Sequence, residues 1–281
     1  MTQRYSPLRL LPAFAVMVCA LTFAQLARAA DRNHVETFLN VTGFDVALDS
    51  IALSAESVPA MIGLEPDVFG TEFERISKDV FDHKDMRGQA VDYLEETLSD
   101  KALQHAQDFY DSALGQRLVK AENASHMIED DDIKRIAGER IISDLLKQGD
   151  ERIEILKRMG RAVDADDSAV HAVQEVQLRL LIAADASGLI ELQLDTEALK
   201  ALLAEQSDEM RLSMQTSGLA ASAYTYQGFD NAELENYITA LETPEMQEVY
   251  SLLNAIQYEI TASRYEEMAY RLGRIGAGQD I

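Results

Sequence analysis

Apolar residues in this chain recur every three or four positions and almost nowhere alternate. Ile133, Ile136, Ile141, Ile142, Leu145 and Leu146 fall on one face of a segment whose other positions are largely Asp, Lys, Arg and Glu, the pattern of an amphipathic helix. Val170, Val173, Val176, Leu180 and Leu181 repeat it. Runs of β-branched residues between turn dipeptides are missing, so no sheet is expected. Five prolines and fourteen glycines punctuate 281 residues. Asp45 is read as starting a helix that Pro59 to Gly63 interrupts, Asp67 as opening the next, and Ser99 as capping one that ends near Asp111. Gly160, Gly188 and Gly228 mark later breaks, Thr196 and Glu197 precede the apolar Leu199, Leu202 and Leu203, and the Gly-rich tail after Arg274 is expected to fray. The prediction is an all-α fold of roughly nine to eleven helices.

Compared with itself, the chain gives an architecture. At an offset of 131 residues, Ile51, Ala52 and Ala55 fall on Ile182, Ala183 and Ala186, Tyr93 on Tyr224, Leu103 on Leu234, and Gln116 on Gln247. Leu98 with Phe229, Asp100 with Asn231 and Ser112 with Thr243 are conservative matches at the same offset. This predicts an internal duplication, with residues 30–160 as a first helical half and 161–281 as a second. The matching cores span about 40–160 and 165–275, and the halves pack on each other as one domain because neither hides its apolar faces alone. The polar stretch from Arg161 to Asp167 is the expected connector.

The N-terminus adds a compartment. Arg4 and Arg9 precede an uncharged apolar run from Leu10 to Leu26, and Ala27-Arg28-Ala29 supplies the small residues of a cleavage site, so residues 1–29 read as a signal peptide and the mature chain starts at Ala30. Retention as a membrane anchor is the weaker alternative, because seventeen residues barely span a bilayer. No second run reaches that length, so a soluble periplasmic protein without a transmembrane anchor is expected. Cys19, the only cysteine, leaves with the leader. The mature chain then has no thiol for a disulfide, a metal or nucleophilic catalysis.

Charge narrows the partners. The formal balance is −24, and losing the leader's arginines makes it more acidic still. Such a field repels nucleic-acid phosphates, so no nucleic acid is expected as a partner; the acids read as solvated helix faces, with a basic partner or divalent cations as functional alternatives.

The most characteristic local sequence runs from Leu98-Ser99-Asp100 to Phe109-Tyr110-Asp111-Ser112-Ala113-Leu114-Gly115-Gln116-Arg117. It describes a capped helix ending in an aromatic pair, a break, and a second helix capped by Ser112 with Gly115 in its first turn. Thr243 and Pro244 repeat the device, proline suiting the first helical position. The pattern Phe109-Tyr110-x-Ser112-x-x-Gly115-x-Arg117 resembles the exported bacterial domain-of-unknown-function family 2059. Ala113 stands where that family usually has proline, Arg117 where lysine is common, and Met246 replaces the glycine in the second copy. The resemblance implies an α-helical envelope protein and carries over no catalytic residue.

Chemistry is sparse. Neither a Gly-x-Ser-x-Gly elbow nor a His-Glu-x-x-His helix occurs. His34, His83, His105, His126 and His171 are scattered; His126 and Glu129 have an i, i+3 spacing that suits a shared metal but is common by chance. The acidic runs Glu129 to Asp132 and Asp164, Asp166, Asp167 read as helix N-termini, which the helix dipole favours, with calcium ligation as the alternative. Tyr93, Tyr224, Tyr110 and Tyr250 are candidates either for core packing or for lining a cleft between the halves. Met210, Met214 and Met246 offer soft apolar surface for a partner helix. No catalytic, cofactor-binding or metal-binding residue is assigned, and no cofactor is expected. The sequence thus predicts an exported, periplasmic, non-catalytic binding or scaffold protein of the cell envelope, monomeric or a small oligomer, with an envelope protein as possible partner. The alternatives are a carboxylate-dependent hydrolase and a carrier of a small apolar ligand in the cleft.

Overall fold

The computed structural model describes residues 31–164 and 168–276; the signal peptide predicted at 1–29, Asp166 and Asp167, and most of the Gly-rich tail lie outside them. Among the described residues there is no strand and there are fourteen α-helices: α1 (Arg32–Thr42), α2 (Phe44–Ile51), α3 (Ser57–Met61), α4 (Thr71–Val80), α5 (His83–Thr97), α6 (Asp100–Tyr110), α7 (Ala113–His126), α8 (Asp131–Gln148), α9 (Arg152–Val163), α10 (Ala169–Ala186), α11 (Thr196–Glu205), α12 (Ser207–Thr225), α13 (Asn231–Leu241) and α14 (Pro244–Gly276). No single described helix is long and apolar enough to cross a membrane.

Several boundaries follow the capping chemistry read from sequence. Ser99 caps α6 by accepting from Ala102 N at 3.2 Å, and Ser112 caps α7 by accepting from Gly115 N at 3.0 Å. Asp195 caps α11, and Asp230 with Glu233 forms a reciprocal capping box on α13. Other boundaries moved. The second helix starts at Phe44 rather than Asp45, after Gly43 turns the chain at φ +73°. Asp67 sits in a 3-10 turn, and α4 begins only at Thr71. Gly160 does not break the chain: α9 runs through it, and Arg161 to Val163 form its last turn rather than a connector.

The long helix α14 is the axis of the molecule. Its 33 residues extend about 50 Å at the usual rise, and it packs along α10 and against α6, α4, α5 and α9. Met246, Val249, Ile260, Met268 and Leu272 of this helix are wholly enclosed. Polar side chains of α14 also finish the ends of neighbouring helices: Gln247 donates to Ala162 O at 2.7 Å and Asn254 to Val163 O at 2.9 Å, so the last carbonyls of α9 find donors. Glu248 accepts from Ser99 N at 3.0 Å at the start of α6.

Helices from either side of residue 160 interleave: α9 packs on α13, and α8 packs on α12. The α8–α12 pair is antiparallel, with Ser125, ahead of α8, bonded to Thr225 at the end of α12. It is held close because Gly138 lies directly over the backbone of Ala220. Ile133, Ile136 and Leu146, expected to be covered, are exposed, because at about 100° per residue they fall away from the side of α8 that carries Gly138, Ile141, Ile142 and Leu145. On α10 the predicted face is in the core, with Val170, Val176 and Leu180 buried.

A Cβ added at Gly138 would sit 2.0 Å from Ala220 O, whereas one at Gly160 would meet nothing within 4 Å. Gly138→Ala is therefore expected to lower stability by about 1–3 kcal/mol through forced separation of α8 and α12. Gly160→Ala is expected to raise it by about 0.5–1 kcal/mol by removing a flexible residue from mid-helix. Urea midpoints of the two variants check the opposite signs.

Candidate functional site

Glu122 occupies a position on α7 that the helical period assigns to the core. Leu118 and Val119, one turn before it on the same face, are both buried. A carboxylate there needs donors, and it has them: Tyr226 Oη donates to Glu122 Oε1 at 2.7 Å and Tyr237 Oη at 3.0 Å. Two further phenols extend the network, with Tyr250 Oη 2.7 Å from Tyr237 Oη and Tyr110 Oη 2.6 Å from Tyr250 Oη and 3.2 Å from Tyr237 Oη. The five residues come from α6, α7, the end of α12, α13 and α14.

The elements that place these groups are tied together by specific bonds. Arg152 of α9, a nearly buried guanidinium, donates to Tyr226 O at 2.6 Å and to Asn231 Oδ1 at 2.9 Å, fixing the turn between α12 and α13. Phe109 lies on Tyr237, ring centroids 5.7 Å apart and 9° from parallel. Arg117 pairs with Glu233 and lies over the Phe229 ring at 4.9 Å. Gly115 is where it is because the backbone of Phe109 and Tyr110 passes within 2.4–2.5 Å of where its Cβ would be. Each residue of the Phe109-Tyr110-x-Ser112-x-x-Gly115-x-Arg117 motif thus either makes the α6–α7 corner or fastens it to the phenol cluster.

The cluster walls a cavity of about 220 Å³. Thr42, Gly43, Phe44 and Ala47 close one side, and Val163, Leu253, Asn254 and Gln257 the other. Asn123 and Tyr110 also line an open depression with Asn40, Asp111, Gln116 and Lys120. Glu122 is the only carboxylate among the cavity's lining residues, and no Lys or Arg is among them. Burial pushes the Glu122 carboxyl above the ordinary range, while the bonds from Tyr226 and Tyr237 pull it back down. Burial also lifts the phenols of Tyr110, Tyr226 and Tyr237 well above theirs, the nearby Glu122 adding to the effect. His126, on the rim, is held below the ordinary imidazole value by burial and by Lys134.

Of the tyrosines singled out in the sequence, Tyr110 and Tyr250 are in the cluster. Tyr93 stands on α5 with 44% of its surface exposed, and Tyr224 is half-buried on α12; neither lines the cavity. Tyr226, Tyr237 and Glu122 were not anticipated, although an acid in phase with Leu118 is a legible signal. His126 and Glu129 share no helix, because α7 ends at His126. Asp130 caps α8 and Asp164 accepts from Ser168 N and Ala169 N at the start of α10, the helix-terminal roles expected of both acidic runs. Among the described residues no group of three or more His, Cys, Asp or Glu converges as a metal site. Met246 is in the core, apart from the half-buried Met210 and Met214 on α12, so the three share no surface.

Glu122→Leu is expected to destabilise the chain by about 1–3 kcal/mol for each hydroxyl it strands, whereas Glu122→Gln keeps an acceptor and changes little. Because the folded-state pKa of Glu122 is raised, its protonated form favours the fold. The wild type should therefore lose stability relative to Glu122→Gln as pH rises from below the ordinary carboxyl value through the folded one. Urea midpoints across that window check it, and a difference growing in the wild type's favour would reverse the assignment.

No curated protein and no solved structure matches the chain. Residues 84–144, spanning nearly all of α5 to α8 with Tyr110, Gly115 and Glu122 among them, match the family described as "Uncharacterized protein conserved in bacteria (DUF2059)", and the chain resembles that family over this segment.

Proposed function

We propose that this is an exported, periplasmic, non-catalytic binding protein of the bacterial cell envelope, and that its ligand site is the Glu122 cavity. One observation carries the reading. Glu122 directs Oε1 to two phenols and leaves Oε2 without a hydrogen-bond partner among the described residues, at the wall of an accessible cavity. A carboxylate oxygen that faces a cavity and is left uncommitted by the chain is placed to accept from a ligand's donor.

The alternatives fit less well. A hydrolase using paired carboxylates needs two acids across one bond, and the cavity has one. A carrier of a purely apolar molecule calls for a cavity without titratable groups, and this one is lined by a carboxylate and four phenols. The leader supports the compartment: Arg4, Arg9, the apolar run from Leu10 and the Ala27-Arg28-Ala29 site are the features of a secretion signal.

The test is to express the full chain in a Gram-negative host and isolate it by osmotic shock for native mass spectrometry. The expected result is a periplasmic chain beginning at Ala30, with a small-molecule adduct that Glu122→Gln loses. Retention in the cytosol would overturn the compartment, and a wild type without an adduct, even after incubation with periplasmic extract, would overturn the binding role.

A further inference from the structure

Resting on the reading of the cavity as a binding site, we infer that its ligand is a small organic cation presenting a primary ammonium group, held by Glu122 Oε2. Glu122 is the one charged group in the lining with an uncommitted acceptor, while the amides of Asn123, Asn254 and Gln257 offer donors and acceptors alike. The hydroxyl protons of Tyr226 and Tyr237 point at Glu122 Oε1. Asn254 uses one amide N–H on Val163 O at 2.9 Å and keeps its second N–H and its Oδ1. Glu122 itself has no ion pair among the described residues, and none of the residues around the cavity is Lys or Arg. A carboxylate so placed is compensated by hydrogen bonds alone, and a cation is the group that would gain most from it.

An ammonium has three N–H donors and no acceptor, the complement of Glu122 Oε2, and the amide oxygens of Asn123, Asn254 and Gln257 can accept from the donors that remain. The tyrosine rings add faces that attract cations. His126 adds little opposing charge, since burial and Lys134 favour its neutral ring. The chain's overall charge of −24 draws cations toward every opening and turns anions away. Lys120 on the outer depression is the one opposing feature, and Asp111 stands beside it in the same lining. Size sets the remaining limit: a cavity of about 150 Å³ takes a benzene-sized guest, so about 220 Å³ suits one ring or a short chain besides the ammonium group.

Three probes that share a ring and differ in one group separate the possibilities: benzylammonium, benzyl alcohol and benzoate, titrated calorimetrically into the mature chain. Tyrosine fluorescence gives a second readout of the cluster, because the chain has no tryptophan. The expected result is benzylammonium bound at least about ten-fold more tightly than benzyl alcohol, with benzoate weakest, from one charge-assisted bond. Glu122→Gln should abolish that preference, with a helical circular dichroism spectrum like the wild type's showing that the variant is folded; a variant that keeps the preference would overturn the assignment to Glu122. Equal binding of alcohol and ammonium, or preference for benzoate, would overturn the cation assignment and leave the cavity as a binding site. Failure of all three to bind would overturn both.

Discussion

A carboxylate set into the apolar stripe of a helix constrains everything around it. Glu122 shares the inward face of Leu118 and Val119 and sees solvent only through the cavity, so most of its donors have to be brought to it by the chain. The donors come from segments more than a hundred residues away: Tyr226 ends α12, Tyr237 lies in α13, and Tyr250 on α14 holds the outer layer of the network. Satisfying one side chain thus fixes how α7 meets three later elements. The α6–α7 corner, the Arg152 clamp on Tyr226 O and the stacking of Phe109 on Tyr237 are the framework that keeps these hydroxyls within hydrogen-bond reach.

That constraint explains why the segment from Phe109 to Arg117 looks as it does. Phe109 and Tyr110 are adjacent on α6, yet one stacks on Tyr237 and the other bonds to it. Gly115 lets α7 start hard against their backbone, and Arg117 reaches across to Glu233 in the first turn of α13. None of these residues is reactive in its own right. Their shared role is to place phenols around an acid, so the motif marks the family without naming a chemistry. The segment that matches the family carries Glu122 and Tyr110, while the remaining phenols lie in the later part of the chain.

The fold was largely legible because its signals are local. Ser99 and Ser112 cap where capping chemistry says they should, α11 starts at Thr196 as its punctuation indicates, and Val170, Val176 and Leu180 face inward with the helical period. Local signals failed where a contact distant in sequence decided the outcome. Gly160 stays helical because the flanking turns of α9 pack on α13, and α8 turns toward α12 the side that carries Gly138, which leaves Ile133, Ile136 and Leu146 facing water. The site was half legible for the same reason. Tyr110 and Tyr250 stand beside the repeated punctuation of Ser112 and Thr243, but Tyr226 and Tyr237 are chosen by an acid in another helix, and no spacing along the chain records that choice.

The offset of 131 residues sharpens the distinction between scaffold and site. It carries α6 onto α13 residue for residue, 100–110 onto 231–241, and the start of α7 onto the start of α14, with capping residues Ser99 over Asp230 and Ser112 over Thr243. The polar cluster does not follow it. Tyr110 corresponds to Leu241, Tyr237 to Ala106, Tyr250 to Val119, and Glu122 to Leu253. Tyr226 corresponds to Glu95, whereas Asn123 and Asn254 correspond to each other and both line the cavity, so the offset preserves part of the polar wall but not the carboxylate or its phenols. Helix ends and caps therefore obey a common pattern that solves the problem of turning the chain. The carboxylate and its phenols depart from that pattern at every position, and a core that needed only packing would have no reason to accept the desolvation cost such groups bring.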